Sequence, residues 1–263
     1  MKLEIEYNNR ARVPGHPAII AEWMRDAAAF REAHPPEVIA YGPGERERID
    51  LFVPKHVRGA ALFFHGGYWQ ALDRSSASHC AAGLFEHGIA VGVPSYDLCP
   101  NVPLARIVEQ AEAAAQAMHA RMGLPMVVSG HSAGGHLTAA LMARLPAEVV
   151  AAGVPVSGLF WLEPLVETSL NKALGLDAAE ARALSPALLP SPGRPLHCAV
   201  GGAESGEFLR QSRAFAELWG GTWEALPGLD HFTVLSPLPQ ADHPLTMRVA
   251  RLAWQACGAV SII

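Results

Sequence analysis

The sequence has few cysteines, no block of like charge and no long apolar run, and each absence removes a class of protein. Its 4 cysteines, Cys80, Cys99, Cys198 and Cys257, lie far apart and form no C-x-x-C pair. A disulfide framework or a zinc site is therefore not expected; buried, reduced thiols in a cytoplasmic protein are. The net charge of -5 is mild and spread out, with no Lys/Arg cluster. That argues against nucleic acid and anionic membrane as partners. No apolar stretch reaches the roughly 18 residues of a spanning helix, and the polar start "MKLEIEYNNR" does not read as a signal peptide. Internal repeats and low-complexity tracts are missing as well.

What is present suits one large core. Of the 263 residues, 50% are apolar and 17% charged, enough for a single domain over 1–263. Residues 17–34 carry Ile19, Ile20, Trp23, Ala27 and Phe30 at helical spacing and form an N-terminal extension, 1–36, packing on that domain. The alternating stretch 45–54 and the apolar runs 59–65, 89–96, 125–130, 149–158, 195–202 and 221–228 read as strands. Between them fall helical stretches at 74–87, after Asn101 as far as Gly123, from Ser132 through Leu145, at 207–219 and at 242–256, the last capped by Asp242. Strands alternating with helices imply an α/β fold: a mostly parallel, doubly wound sheet with helices on both faces. Residues 159–194 break the alternation, with two aromatics, several prolines and a weak helix near 177–185, and read as a small cap-like insertion. Ligands in such folds bind beyond the carboxyl ends of the parallel strands.

Two motifs fall at such ends. "SGHSAGG" holds G-x-S-x-G as Gly130, His131, Ser132, Ala133 and Gly134, between an expected strand and an expected helix. A sharp strand-to-helix turn exposes the central hydroxyl and points helix amides at it, so Ser132 is the candidate nucleophile. A serine needs a base, which in this fold follows a late strand. Of the 12 histidines, His231 in "LPGLDHFTV" does so. His136, His197 and His243 read as structural, and His131 as pointing away from the serine. The acid should follow "LHCAVGG", where Glu204 at the strand end is preferred over Glu207 in a helix first turn. The second motif, "LFFHGGYWQ", places two glycines after an early strand. That loop, with the amide of Ala133, is where an oxyanion hole is expected: Gly67 and Tyr68 first, Gly66 next, with His65 bracing the loop. Trp69, Phe160, Trp161 and Phe232 are candidates for an aromatic pocket.

With these motifs the chain resembles the α/β-hydrolase superfamily, and within it the kynurenine formamidase (arylformamidase) and carboxylesterase group. His65-Gly66-Gly67-Tyr68-Trp69 matches that group's H-G-G-x-W, and "YNNRARVP", "YDLCP" and "ESGEFLRQS" look like it too. The resemblance implies the α/β-hydrolase fold and a Ser132–His231–Glu204 triad, where many relatives use aspartate as the acid. It also implies no metal and no organic cofactor. The expected function is hydrolysis of a small ester or amide through an acyl-enzyme, on an aryl formamide such as N-formylkynurenine or on an aryl ester. The alternatives are a general short-chain carboxylesterase and a non-catalytic binding module. A homodimer is compatible with this reading.

Overall fold

The computed structural model describes residues 2–258. Eight strands form one sheet: β1 (Glu37–Ala40), β2 (Arg48–Phe52), β3 (Gly59–Phe64), β4 (Ile89–Pro94), β5 (Met126–His131), β6 (Val150–Val156), β7 (His197–Gly201) and β8 (Thr222–Leu226). Their order is β1-β2-β4-β3-β5-β6-β7-β8. β1 and β2 pair antiparallel, β2 joins β4 antiparallel, and every pairing from β4 to β8 is parallel. β3, β4 and β5 are buried along their whole length, which is why their sequences are continuous apolar runs.

Among the described residues, ten α-helices surround the sheet. They are α1 (Lys2–Tyr7), α2 (Asn9–Arg12), α3 (His16–Ala33), α4 (Ala82–Glu86), α5 (Leu104–Met122), α6 (Ala133–Arg144), α7 (Asn171–Leu174), α8 (Ala178–Ala183), α9 (Gly206–Leu218) and α10 (Pro244–Ala256). The two-residue period of β3 divides its side chains between two cores. Ala60, Leu62 and Phe64 join a cluster with Ala111 and Met118 of α5, Leu137 and Leu141 of α6, and Phe208 and Phe215 of α9. Ala61 and Phe63 join the opposite cluster, with Trp23 of α3, Leu84 of α4 and Val249 and Ala253 of α10. Each fully buried Leu or Phe contributes about 1.5 to 3 kcal/mol relative to exposure, so this division fixes the register of the sheet.

Several local expectations are corrected. The stretch 74–87 is not one helix but two 3-10 turns, Arg74–Ser76 and Ser78–Ala81, followed by α4. Asp73 forms a capping box at the first turn and so starts a separate element. Pro103, not Asn101, precedes α5, and His243, not Asp242, caps α10, its ring accepting from the Leu245 amide. The insertion 159–194 is short helical pieces, α7 and α8 among them. Its Leu159, Phe160, Leu162 and Leu165 are buried in the core, so it is anchored rather than loosely laid over the sheet. No helix among the described residues is long and apolar enough to cross a membrane.

Candidate active site

Ser132 occupies the turn between β5 and α6, at φ 55° and ψ -112°. This conformation is strained for any residue with a side chain, by about 1 to 3 kcal/mol, and it holds only because the surroundings dictate it. The turn is tight enough that a Cβ on Gly134 would lie 2.0 Å from the Phe64 carbonyl oxygen. The Ser132 amide donates to the Val156 carbonyl at 2.9 Å, tying the turn to β6. The Ser132 hydroxyl has no protein partner among the described residues.

His231 and Glu204 come from the ends of neighbouring strands. Glu204 follows β7, and one of its carboxylate oxygens accepts from the Gly201 amide at 2.7 Å and from the Ser157 hydroxyl. The other accepts from Nδ1 of His231 at 2.6 Å. With Nδ1 donating, Nε2 of the neutral imidazole keeps its lone pair. Both side chains are buried, the carboxylate completely. After β8, Asp230 accepts from the Phe232 and Thr233 amides at 2.8 and 2.9 Å, shaping the turn that presents His231. Glu207 is used elsewhere: it pairs with Arg210 at 2.9 Å and accepts from the Tyr7 hydroxyl at 2.9 Å.

His131 does not simply point away. Its ring lies 4.7 Å from that of His231, and Nε2 donates to the His231 carbonyl at 2.8 Å. Burial pushes its pKa well below the usual histidine range, so it stays neutral beside His231. The sequence signal was its place inside G-x-S-x-G; the contact across 100 residues was not readable there.

The glycine loop after β3 faces the same turn. Gly67, Tyr68 and Trp69 have φ of 102°, 50° and 56°, a run of left-handed residues. A Cβ on Gly67 would lie 2.4 Å from the Ala71 carbonyl oxygen, so only glycine fits. The strain at Tyr68 is offset by its hydroxyl, which donates to the Tyr7 carbonyl at 2.7 Å and accepts from Asn9 at 3.3 Å. His65 stacks on Tyr96 at 4.3 Å and donates to the Gly66 carbonyl at 2.8 Å. Gly66 lies against the nucleophile turn, where a Cβ would be 3.3 Å from that of Ser132. Among the described residues, the amides of Gly66, Gly67, Tyr68 and Ala133 meet no protein acceptor.

A pocket of about 400 Å³ opens onto these groups, lined by Ser132, His131, His231, Gly67, Tyr68 and Phe232 at its base. Three of the four expected pocket aromatics are elsewhere. Trp69 is fully buried, edge-on to His136 at 5.1 Å, because its positive φ turns the side chain into the core. Phe160 is buried in a stack on Phe215 at 4.0 Å. Trp161 lies outside the pocket under the Arg210 guanidinium. The walls come instead from residues not expected there: Tyr7 and Asn9, within the "YNNRARVP" stretch, Trp23 of α3, and Thr168 and Leu170 of the insertion. Among the described residues, no group of three or more His, Cys, Asp or Glu side chains is arranged for a metal ion.

A family model described as the alpha/beta hydrolase fold matches residues 61–190. A crystal structure of a proposed thioesterase from Silicibacter sp. TM1040 is 36% identical and covers 95% of this chain and 99% of its own, with a TM-score of 0.90. The chain belongs to the α/β-hydrolase family. The hydrolase is also similar to kynurenine formamidases. That of Salmo salar is 27% identical over 236 residues, 81% of this chain and 80% of its own length. That of Drosophila melanogaster is 27% identical over 224 residues, 75% and 74% of the two chains. An esterase from Pyrobaculum calidifontis, 18% identical with a TM-score of 0.72 over 92% of this chain and 93% of its own, shares the fold. The hydrolase is thus an enzyme similar to kynurenine formamidases, on a fold that it shares with esterases.

Proposed function

We propose that Ser132, His231 and Glu204 form a catalytic triad that cleaves a small-acyl aryl amide or ester, with N-formylkynurenine as the first candidate substrate. The observation that carries this is the His231 Nδ1–Glu204 bond of 2.6 Å beside the strained, unpartnered Ser132. In the first step Nε2 of His231 removes the Ser132 proton as Oγ attacks the carbonyl. Glu204 holds the required tautomer and stabilises the imidazolium. Negative charge on the carbonyl oxygen is met by the amides of Ala133 and Gly67, with those of Tyr68 and Gly66 beside them. Each such donor is worth roughly a hundred- to a thousand-fold in rate. His231 then protonates the departing amine or phenol, and water, activated by the same base, releases the acid.

Formamidase relatives and the aromatic contact available at Phe232 and Trp23 favour an aryl leaving group with a small acyl group. The esterase neighbours favour a second reading, a general short-chain esterase. A cytoplasmic enzyme acting on a free small molecule is part of the proposal, supported by 4 unpaired thiols. The test is kcat/KM for N-formylkynurenine, phenyl acetate and p-nitrophenyl esters of rising chain length. Small-acyl aryl substrates are expected to be fastest; faster octanoyl esters would contradict the pocket assignment.

A further inference from the structure

The outer part of the pocket is charged, in contrast to its base. α1 and α2 form one side of it, and three of their polar residues, Glu4, Asn9 and Arg10, line it. Resting on the formamidase reading, we propose that this rim is a subsite for an α-amino-acid head group, with Arg10 binding the carboxylate and Glu4 and Asn9 the ammonium.

Among the described residues, Arg10 is the only lysine or arginine lining the pocket. It makes no hydrogen bond or ion pair with any described residue, whereas Arg31, Arg74, Arg106, Arg121, Arg144 and Arg182 all pair with carboxylates. A free guanidinium at the edge of an apolar cavity offers a planar fork that fits a carboxylate. The anionic side is equally defined. The Glu4 carboxylate is fixed by the amide and hydroxyl of Ser169 at 2.7 and 2.6 Å. These bonds lower its pKa, so it remains charged. Asn9 is 3% exposed. The Tyr68 hydroxyl already donates to Tyr7, so it can only accept from Asn9, which fixes Nδ2 as the Asn9 atom facing it. Oδ1 is then a buried acceptor with no protein donor, a state that a ligand N–H relieves. One cation and two acceptors at one rim match the carboxylate and ammonium of an amino acid. A neutral aryl ester would use neither.

The test compares substrates with and without the head group. N-Formylkynurenine is set against ortho-formamidoacetophenone, the same aryl formamide lacking the amino acid, and O-acetyltyrosine against p-cresyl acetate. The enzyme is expected to favour the amino-acid member of a pair by roughly tenfold or more, mostly through KM, the size of a charge-assisted contact. Arg10→Ala should bring that ratio close to one, and Arg10→Lys should keep part of it. Arg12→Ala, an exposed neighbour outside the pocket, should leave it unchanged. No preference in the unmodified enzyme, or an equal collapse in Arg12→Ala, would overturn the subsite. If only the ester pair is hydrolysed, the formamidase reading fails while the ester ratio still decides the subsite.

Discussion

Replacing Glu204 by Gln separates the acid role from simple packing. The side chain keeps its size, and its Oε1 can still accept from the Gly201 amide and the Ser157 hydroxyl, as the carboxylate does. The other end becomes an NH2 group 2.6 Å from Nδ1 of His231, where the native carboxylate accepts. Two donors cannot face each other, so the imidazole must move its proton to Nε2. That nitrogen then has no lone pair for the Ser132 proton. The same tautomer inversion in serine proteases lowers kcat by about ten thousand-fold, equivalent to about 5.5 kcal/mol of activation free energy. KM should change little, because Glu204 is buried, does not line the pocket, and among the pocket-lining residues hydrogen-bonds only to His231. The control is Glu207→Gln, whose carboxylate serves Arg210 and Tyr7 and should cost only a few-fold. The assay is steady-state turnover of a p-nitrophenyl ester, with circular dichroism to confirm folding. A Glu204→Gln enzyme within tenfold of the parent, or a larger loss in Glu207→Gln, would refute the assignment.

Two further outcomes concern the scaffold. Asp50 is fully buried between Arg31 of α3 and Arg74, so Asp50→Ala leaves two half-buried guanidinium groups without their carboxylate and should cost about 3 to 5 kcal/mol in urea unfolding; less than 1 kcal/mol would contradict the ion-pair account. Burial lowers the pKa of His65, His79 and His136 to about 4 and holds that of His131 well below the usual histidine range, so the native state keeps all four neutral. The unfolded chain protonates them near pH 6.5, so stability should fall as pH drops from about 6.5 towards 4. The loss is about 2 kcal/mol per histidine between pH 7 and 5. A unfolding midpoint unchanged between pH 7 and 5 would count against it.

The parts of the molecule legible in the sequence are those whose chain geometry and burial are locally encoded. β3, β4 and β5 show as apolar runs because both their faces are covered. β1, in contrast, has three exposed residues of four at the sheet edge and carries no such pattern. Ser132, His231 and Glu204 were legible because each follows a strand at a turn, where side chains face the carboxyl end of the sheet. Trp69 was not, because its direction depends on a positive φ that no propensity scale assigns to tryptophan. α1 and α2 are too short to show periodicity, yet Tyr7 is buried and its carbonyl takes the Tyr68 hydroxyl across 61 residues. Gln211, buried in α9, accepts from the amides of Phe160 and Trp161 and so fixes the start of the insertion, another contact between distant segments.

The most direct measurement is intact-protein and peptide mass spectrometry after reaction with a fluorophosphonate, run on the parent and on Ser132→Ala. One adduct per chain is expected, on the peptide containing Ser132, with loss of turnover in proportion to labelling and no adduct in the alanine variant. Labelling of Ser132→Ala at the parent's rate, or full turnover by that variant, would contradict the central claim that Ser132 is the nucleophile.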